Sequence, residues 1–400
     1  ADTGRPYTVR QPPPAEPLRD PGRTTGQEKA VVLLIHDDGN RERCTRDEYE
    51  RLYDQIGPWF QEASYGRWEP TVDTVVGWFA YDQESYEELT WKELLTQAAN
   101  KEDVDFRGVS RVWVINDGVR GLSSRGFTKI TVRDWDGSYR INAALTEYRS
   151  SRCSDVSLSE HIQKIGRSLG VGYSDFLSSR DGSDTSRGME NDIMGEGDPE
   201  DSFNAAHRDL LGWLDGDEVG LVKESGVYRL KAIDEQPVRV LRIPASEEED
   251  NQRYYYLSLR APRGTYGESE GYNERQGLIV TRVEPPRDLD GWEPDFRVIG
   301  LDGTPETPKT DSDDLALMPR RTWSDPDDRI HVTLLERDDE EGLVRVVFEP
   351  ERNEPPIIND VNVEELDDGT YRLTADVSDL RDDRLYVFWS LIDGLESVYD

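Results

Sequence analysis

Residues 163–176, QKIGRSLGVGYSDF, set four chemically distinct side chains at one spacing. Gln163 and Arg167 are four positions apart, so on a helix they share a face one turn apart. Lys164 adjoins Gln163, and Gly170 offers a turn after which Tyr173 can return towards the same face. Two ligands one helical turn apart, with a third brought back by a turn, form the geometry of an ion site. The residue types oppose it. Gln163 offers only a neutral amide. Arg167 has no lone pair to give, and Tyr173 ligates only as phenolate. Lys164 cannot serve as a carboxylate base, and two cations at this spacing repel a dication.

These side chains must be held by a fold, and the flanking sequence indicates which kind. AVVLLIHDD, from Ala30, is an apolar run of strand length. Tyr49, Leu52, Tyr53, Ile56 and Phe60 then recur at helical spacing, with Thr45 as the N-cap. WEPTVDTVVGWFAY alternates as a strand, SYEELTWKELLTQAANK is helical, and SRVWVIND is another strand. Strands alternating with helices indicate an α/β domain. RDWDGSYRINAALTEYRSS is less regular. SLSEHIQKIGRSLG is expected to be a helix ending at Gly170, with Ser157 and Glu160 as a capping box, and AAHRDLLGWL starts another. From about Asp215 the texture becomes short strands between Gly, Pro and acidic turns, an all-β sandwich. ERNEPP is a linker. The strands after it resemble the start of an immunoglobulin-like or PKD-type module, too short to be complete.

The expected division is therefore an extended arm over 1–27, the α/β domain over 28–216, the β-sandwich over 217–350, and a partial β module over 351–400. The formal charge of −36 excludes a nucleic-acid partner, because phosphate contacts need a basic face. It also disfavours anionic lipid. Only 8 of the 48 cations are lysine, which with the acidic excess suggests a salt-adapted organism. No apolar run is long enough to span a membrane as a helix. The chain opens on Ala1 and Asp2 without Met, as expected of a processed or a trimmed N-terminus. Cys44 and Cys153 are expected to form a disulfide if the protein is exported; two buried thiols are the other reading. DGSD (181–184) and DWDGS (134–138) are candidate calcium loops or solvated acidic loops. The four histidines, His36, His161, His207 and His331, offer no obvious substitute ligand set.

The signature H-E-x-x-H-x-x-G-x-x-H can be laid on this helix through Gly170. Its three His then fall on Gln163, Arg167 and Tyr173, and its Glu on Lys164. MENDIMGEG follows, with Met194 at the position of a Met-turn, and then SFNAAHRDLLGWL; FQEASYGRWEPTVDTVVGW lies upstream. In this order the segments resemble the gametolysin-like and immune-inhibitor-A-like secreted metalloproteases of the metzincin group, over about residues 30–350. The resemblance implies a metzincin-like α/β domain followed by a β-domain. Because none of the ligands is kept, it implies a pseudoprotease with no catalytic residue, no metal and no cofactor. Such a protein is expected outside the cell, binding protein partners on a surface, sheath or virion. An active secreted metallopeptidase with an atypical metal site is the alternative. Arg167 then either occupies the ion's place as a fixed cation, with Glu190, Asp192 and Asp175 as candidate partners, or extends with Lys164 into an open groove.

Overall fold

A computed structural model of the chain describes residues 8–18, 24–36, 44–80, 91–102, 104–117, 127–134, 137–147, 157–178, 182–234, 236–245, 253–261, 276–284, 296–303, 315–325, 327–349, 357–365 and 371–378. Along the chain, β1 (Val9–Arg10), β2 (Gly26–His36), α1 (Arg46–Ala63), β3 (Trp68–Ala80), α2 (Trp91–Glu102) and β4 (Arg111–Asp117) come first. β5 (Phe127–Asp134), β6 (Gly137–Glu147), α3 (Leu158–Ser168), β7 (Val171–Leu177), β8 (Asp184–Thr185) and α4 (Ala205–Leu210) follow. The remaining elements are strands: β9 (Val219–Leu221), β10 (Gly226–Lys231), β11 (Val240–Pro244), β12 (Tyr254–Ser258), β13 (Ile279–Glu284) and β14 (Phe296–Leu301). They continue with β15 (Thr322–Asp325), β16 (Ile330–Arg337), β17 (Glu341–Phe348), β18 (Ile357–Glu365) and β19 (Tyr371–Ser378).

The first sheet has the order β3-β2-β4-β6-β5, parallel except for the edge pair β5–β6. Its interior strand β2 explains the apolar run at residue 30. Ala30, Val32 and Leu34 face a core shared with Tyr49, Ile56, Ile162 and Ile165 of α1 and α3. Val31, Leu33 and Ile35 face a second core with Leu94, Leu95 and Ala98 of α2. A strand covered on both faces needs no polar alternation. The stretch read as less regular, 133–151, instead contains β6 and the end of β5, its antiparallel partner. Its residues alternate less cleanly than those of a strand with one solvated face.

α1 starts as expected. Thr45 accepts from the Glu48 amide at 3.3 Å, and Glu48 accepts from the Thr45 amide at 2.7 Å. The corresponding box at α3 does not form. Ser157 is the N-cap residue but makes no capping bond, and its hydroxyl lies 2.6 Å from that of Ser159.

Two further sheets build the C-terminal region. One has the order β1-β10-β17-β16-β15, and the other β8-β7-β14-β13-β12-β11-β9. Between them lies a core that includes Leu230, Val332, Leu334, Val344 and Val346 from the first and Leu241, Leu257, Val280 and Ile299 from the second. The opposite face of the seven-stranded sheet sends Tyr256, Val283 and Val298 into the core that holds α1 and α3. The two-residue strand period thus divides one sheet between two cores. β7, which directly follows α3, pairs in parallel with β14, so strands from both sides of residue 216 share this sheet. Gly172 permits the pairing: a Cβ there would lie 2.4 Å from the Phe296 carbonyl oxygen.

The N-terminal arm is bound to this region where it is described. Val9 and Arg10 pair with β10, the Ala15 amide donates to the Val219 carbonyl at 2.9 Å, and Trp213 Nε1 donates to the Thr24 carbonyl at 2.8 Å. β18 and β19 form an antiparallel hairpin on which Val361 and Val363 are exposed; residues 379–400 lie outside the described residues. Among the described residues no helix is long and apolar enough to cross a membrane.

Cys44, beside the α1 cap, is buried and disulfide-bonded, whereas Cys153 lies outside the described residues. Thiol titration of the denatured, unreduced protein is expected to detect no free cysteine; two titratable thiols would reject a Cys44–Cys153 bond. Gly172→Ala is expected to cost about 1–3 kcal/mol through overpacking against Phe296, measured as a lower urea midpoint.

Candidate functional site

α3 has a buried face that anchors it and a half-buried face that carries the polar residues. His161, Ile162 and Ile165 point into the core. Gly166 faces the Met194 turn so closely that a Cβ would lie 2.6 Å from Met194 Sδ and 3.3 Å from Phe203. Met194 is fully buried beneath the helix. α3 ends at Ser168 with Leu169 as its C-cap, and Gly170 adopts φ +89°, the left-handed turn that a glycine takes readily.

The turn returns Tyr173 to the helix. Arg167 Cζ lies 4.4 Å from the centre of its ring, and Arg187 Cζ lies 3.9 Å from the same centre. Gln163 Nε2 donates to the Gly195 carbonyl at 2.7 Å, in the Met194 turn. Gln163, Arg167, Tyr173 and the Met194 turn therefore come together, with Lys164 half-buried on the adjoining stretch of α3. Gln163 spends its amide N–H on a carbonyl, and Arg167 brings a guanidinium to the ring that the signature would replace with imidazole. This donor set does not fit zinc. Among the described residues, no three His, Cys, Asp or Glu side chains come together as a metal-holding group.

Asp192 and Asp175 have partners other than those expected from their proximity in sequence. Asp192 is fully buried and accepts from Ser174 Oγ at 2.5 Å, from the Met194 amide at 2.9 Å, and from Asn204 Nδ2. His207 Nδ1 lies 3.4 Å away. Burial pushes the Asp192 carboxyl up, but the His207 ring and the Ser174 and Met194 donors outweigh it and hold it below its ordinary value. Asp175 accepts from the Arg187 amide at 2.9 Å and from Arg297 Nε at 2.5 Å. Asp184, of the candidate 181–184 calcium loop, pairs with Arg297, and Asp181 lies outside the described residues. In the 134–138 loop, residues 135 and 136 are likewise outside them. Glu190 is half-buried.

Buried arginines fasten the surrounding segments. Arg208 donates to the Phe203 carbonyl at 3.0 Å, the Ile233 carbonyl at 2.6 Å, Ser202 Oγ at 2.9 Å, and the Tyr65 hydroxyl. Tyr65 and Gly66, at φ +55° and +76°, make the turn out of α1 that allows this contact. Arg260 donates to Asp234 at 2.8 Å and to the Asn191 carbonyl at 2.7 Å, next to Asp192. Phe60, Trp68, Phe203 and Trp213 form one aromatic cluster, with Trp68 and Trp213 stacked at 6.2 Å. The three sequence segments around 60–78, 189–197 and 202–214 thus share one core with Ile162 and Ile165 of α3.

No family model matches the chain, and no curated protein matches it.

Sequence reasoning missed Arg187. It lies outside the signature, and only its φ of +60° and the return of β7 bring it over Tyr173.

His161 supplies a test of how tightly α3 is packed. Its ring is fully buried between Tyr49 and Tyr53, and burial pushes its pKa down to about 4, partly opposed by the Ser157 carbonyl 3.0 Å from Nδ1. The unfolded chain takes up this proton near 6.5, whereas the folded chain stays neutral until about 4. Stability therefore falls as pH drops through that window, by about 3 kcal/mol for this group. His161→Gln is expected to flatten the decline in urea stability between pH 6.5 and 4.5; an unchanged slope would reject the buried neutral ring.

Proposed function

We propose that this protein is a non-catalytic, metzincin-like metalloprotease homologue acting outside the cell as a binding or structural component of a surface, sheath or virion. The observation that carries the reading is the face of α3. The residues at the ligand and base positions of the signature are assembled with the Met194 turn, yet they are an amide bonded to a carbonyl, a guanidinium, an ammonium and a phenol. The packing of the Met194 turn and Phe203 against Gly166 of α3, together with the bond from Arg208 of α4 to the Tyr65 turn, supports the resemblance to gametolysin-like proteases. The paired strands around residues 226–348 take the place of the β-domain that follows in that group. The β18–β19 hairpin is read as the opening of an immunoglobulin-like or PKD-type module.

A disulfide at Cys44 favours an oxidising compartment. The acidic, lysine-poor composition favours a salt-rich one. A protease cleft is built for extended peptide, and one retained without its metal would hold such a peptide uncut, which makes protein partners the natural ligands on this reading.

The purified protein is expected to show no chelator-sensitive hydrolysis of casein and to carry no stoichiometric zinc after dialysis. The combined variant Gln163→His, Lys164→Glu, Arg167→His and Tyr173→His, if folded by circular dichroism, is expected to take up zinc stoichiometrically. Failure of the folded variant to bind zinc would reject the registration of α3 on the protease signature. Stoichiometric zinc in the parent, with chelator-sensitive cleavage, would instead establish the atypical metallopeptidase.

A further inference from the structure

Arg187 is an exposed arginine held in a backbone conformation that disfavours it. Its φ is +60°, and its amide is fixed by Asp175 Oδ1 at 2.9 Å. A residue with a side chain pays about 1–2 kcal/mol for the left-handed region, which glycine occupies freely. Stacking of an exposed cation on an aromatic ring returns about 0.5–1 kcal/mol. The arrangement over Tyr173 therefore gains little stability from its own contact. Strain retained without a stability gain is characteristic of functional positions.

The surroundings indicate what such a position would recognise. Arg167 lies over the same Tyr173 ring, and it sits in the last turn of α3, where the helix dipole favours a cation. Lys164 is three residues before Arg167 and so neighbours it on the helix. Gln163 holds the Gly195 carbonyl beside them. Asp175, the acidic group attached to the Arg187 backbone, is matched by Arg297. In a chain of net charge −36, two guanidinium groups thus share one half-buried tyrosine, with Lys164 one turn before Arg167 on the same helix. A guanidinium lying over a ring directs its N–H fork sideways, the geometry that pairs with a carboxylate through two parallel hydrogen bonds.

We propose that Arg187, stacked on the Tyr173 ring that Arg167 also contacts, is the anchor of a carboxylate-recognising site that takes an acidic side chain or the C-terminal carboxylate of a bound peptide. This rests on the peptide-binding reading above and supplies its ligand chemistry. Where a protease would place a cationic metal against a peptide carbonyl, this chain places fixed cations against a peptide carboxylate.

The test uses the full chain and three fluorescein-labelled Ala/Gly peptides of equal length, followed by fluorescence anisotropy. One has a free C-terminal carboxylate, one is its C-terminal amide, and one is the amide with a single internal glutamate. Measurement in about 1 M KCl shortens the screening length to about 3 Å, which removes long-range repulsion from the acidic surface while leaving close contacts. At least one carboxylate peptide is expected to bind saturably and the plain amide is not; the two acidic arms separate the terminal from the side-chain source. Arg187→Gly is expected to weaken that binding about tenfold, the loss of one charge-assisted pair. The same change should leave the thermal midpoint unchanged or raised, because glycine relieves the positive φ. Arg187→Lys, which keeps charge without the planar fork, should bind more weakly than the parent. Equal binding of the amide, no saturable binding of either acidic peptide, or full binding by Arg187→Gly would overturn the site. The combined zinc variant separates this outcome from the protease reading. Zinc uptake there without carboxylate binding in the parent rejects only the carboxylate site. Carboxylate binding without zinc uptake rejects only the protease registration.

Discussion

The carboxylate of Asp192 has no contact with solvent, and much of the structure follows from how it is compensated. A buried charge is tolerated only when donors and counter-charges surround it. Here those donors come from three places in the chain. Ser174 is on β7, the Met194 amide belongs to the turn under α3, and Asn204 caps α4. His207, one turn into that helix, faces the same carboxylate. One charge therefore fixes the mutual positions of the strand after α3, the turn beneath it, and the next helix. Taking away one of these donors would cost on the order of 1–3 kcal/mol, because the buried carboxylate would be left short of a hydrogen-bond partner.

Around this centre, arginine serves as the connector. Arg208 joins α4 to the Tyr65 turn and to Ile233, and Arg242 on β11 pairs with Asp209 at 2.8 Å. Tyr256 adds a hydrogen bond to Asp209 at 2.5 Å. The guanidinium group suits this work because its five donors can satisfy carbonyls and carboxylates at once while its plane packs against rings. The preference for arginine over lysine in the sequence thus has an interior use as well as a surface one.

The seven-stranded sheet has a related role. Its alternate residues feed two cores, so the buried face of α3 rests on a base shared with the β region rather than on the α/β layer alone. Gln163, Arg167 and Tyr173 are positioned by this rigid support, and Arg187 reaches them from the loop after β8. A cationic cluster set on a fixed base within a strongly acidic protein offers directional recognition of negative groups rather than non-specific attraction, because the surrounding charge opposes the latter.

Much of this was legible in the residues themselves. The apolar run at residue 30, the helical spacing from Tyr49 to Phe60 and the Thr45 cap identified β2, α1 and its start through local periodicity and capping chemistry. The four-residue spacing of Gln163 and Arg167 and the glycine at 170 placed the candidate site on a helix with a returning strand. Local rules missed the β5–β6 hairpin, whose strands hide in a weakly alternating stretch, and they expected a Ser157 cap that the side chain does not make. What only the tertiary structure decided was partnership. Asp192 turned to Ser174, Asn204 and His207; Asp175 turned to Arg297; and Arg187 came to Tyr173. Periodicity specifies which face of an element is buried, but the group a buried charge meets depends on segments far away in the chain, and only folding brings those within hydrogen-bonding distance.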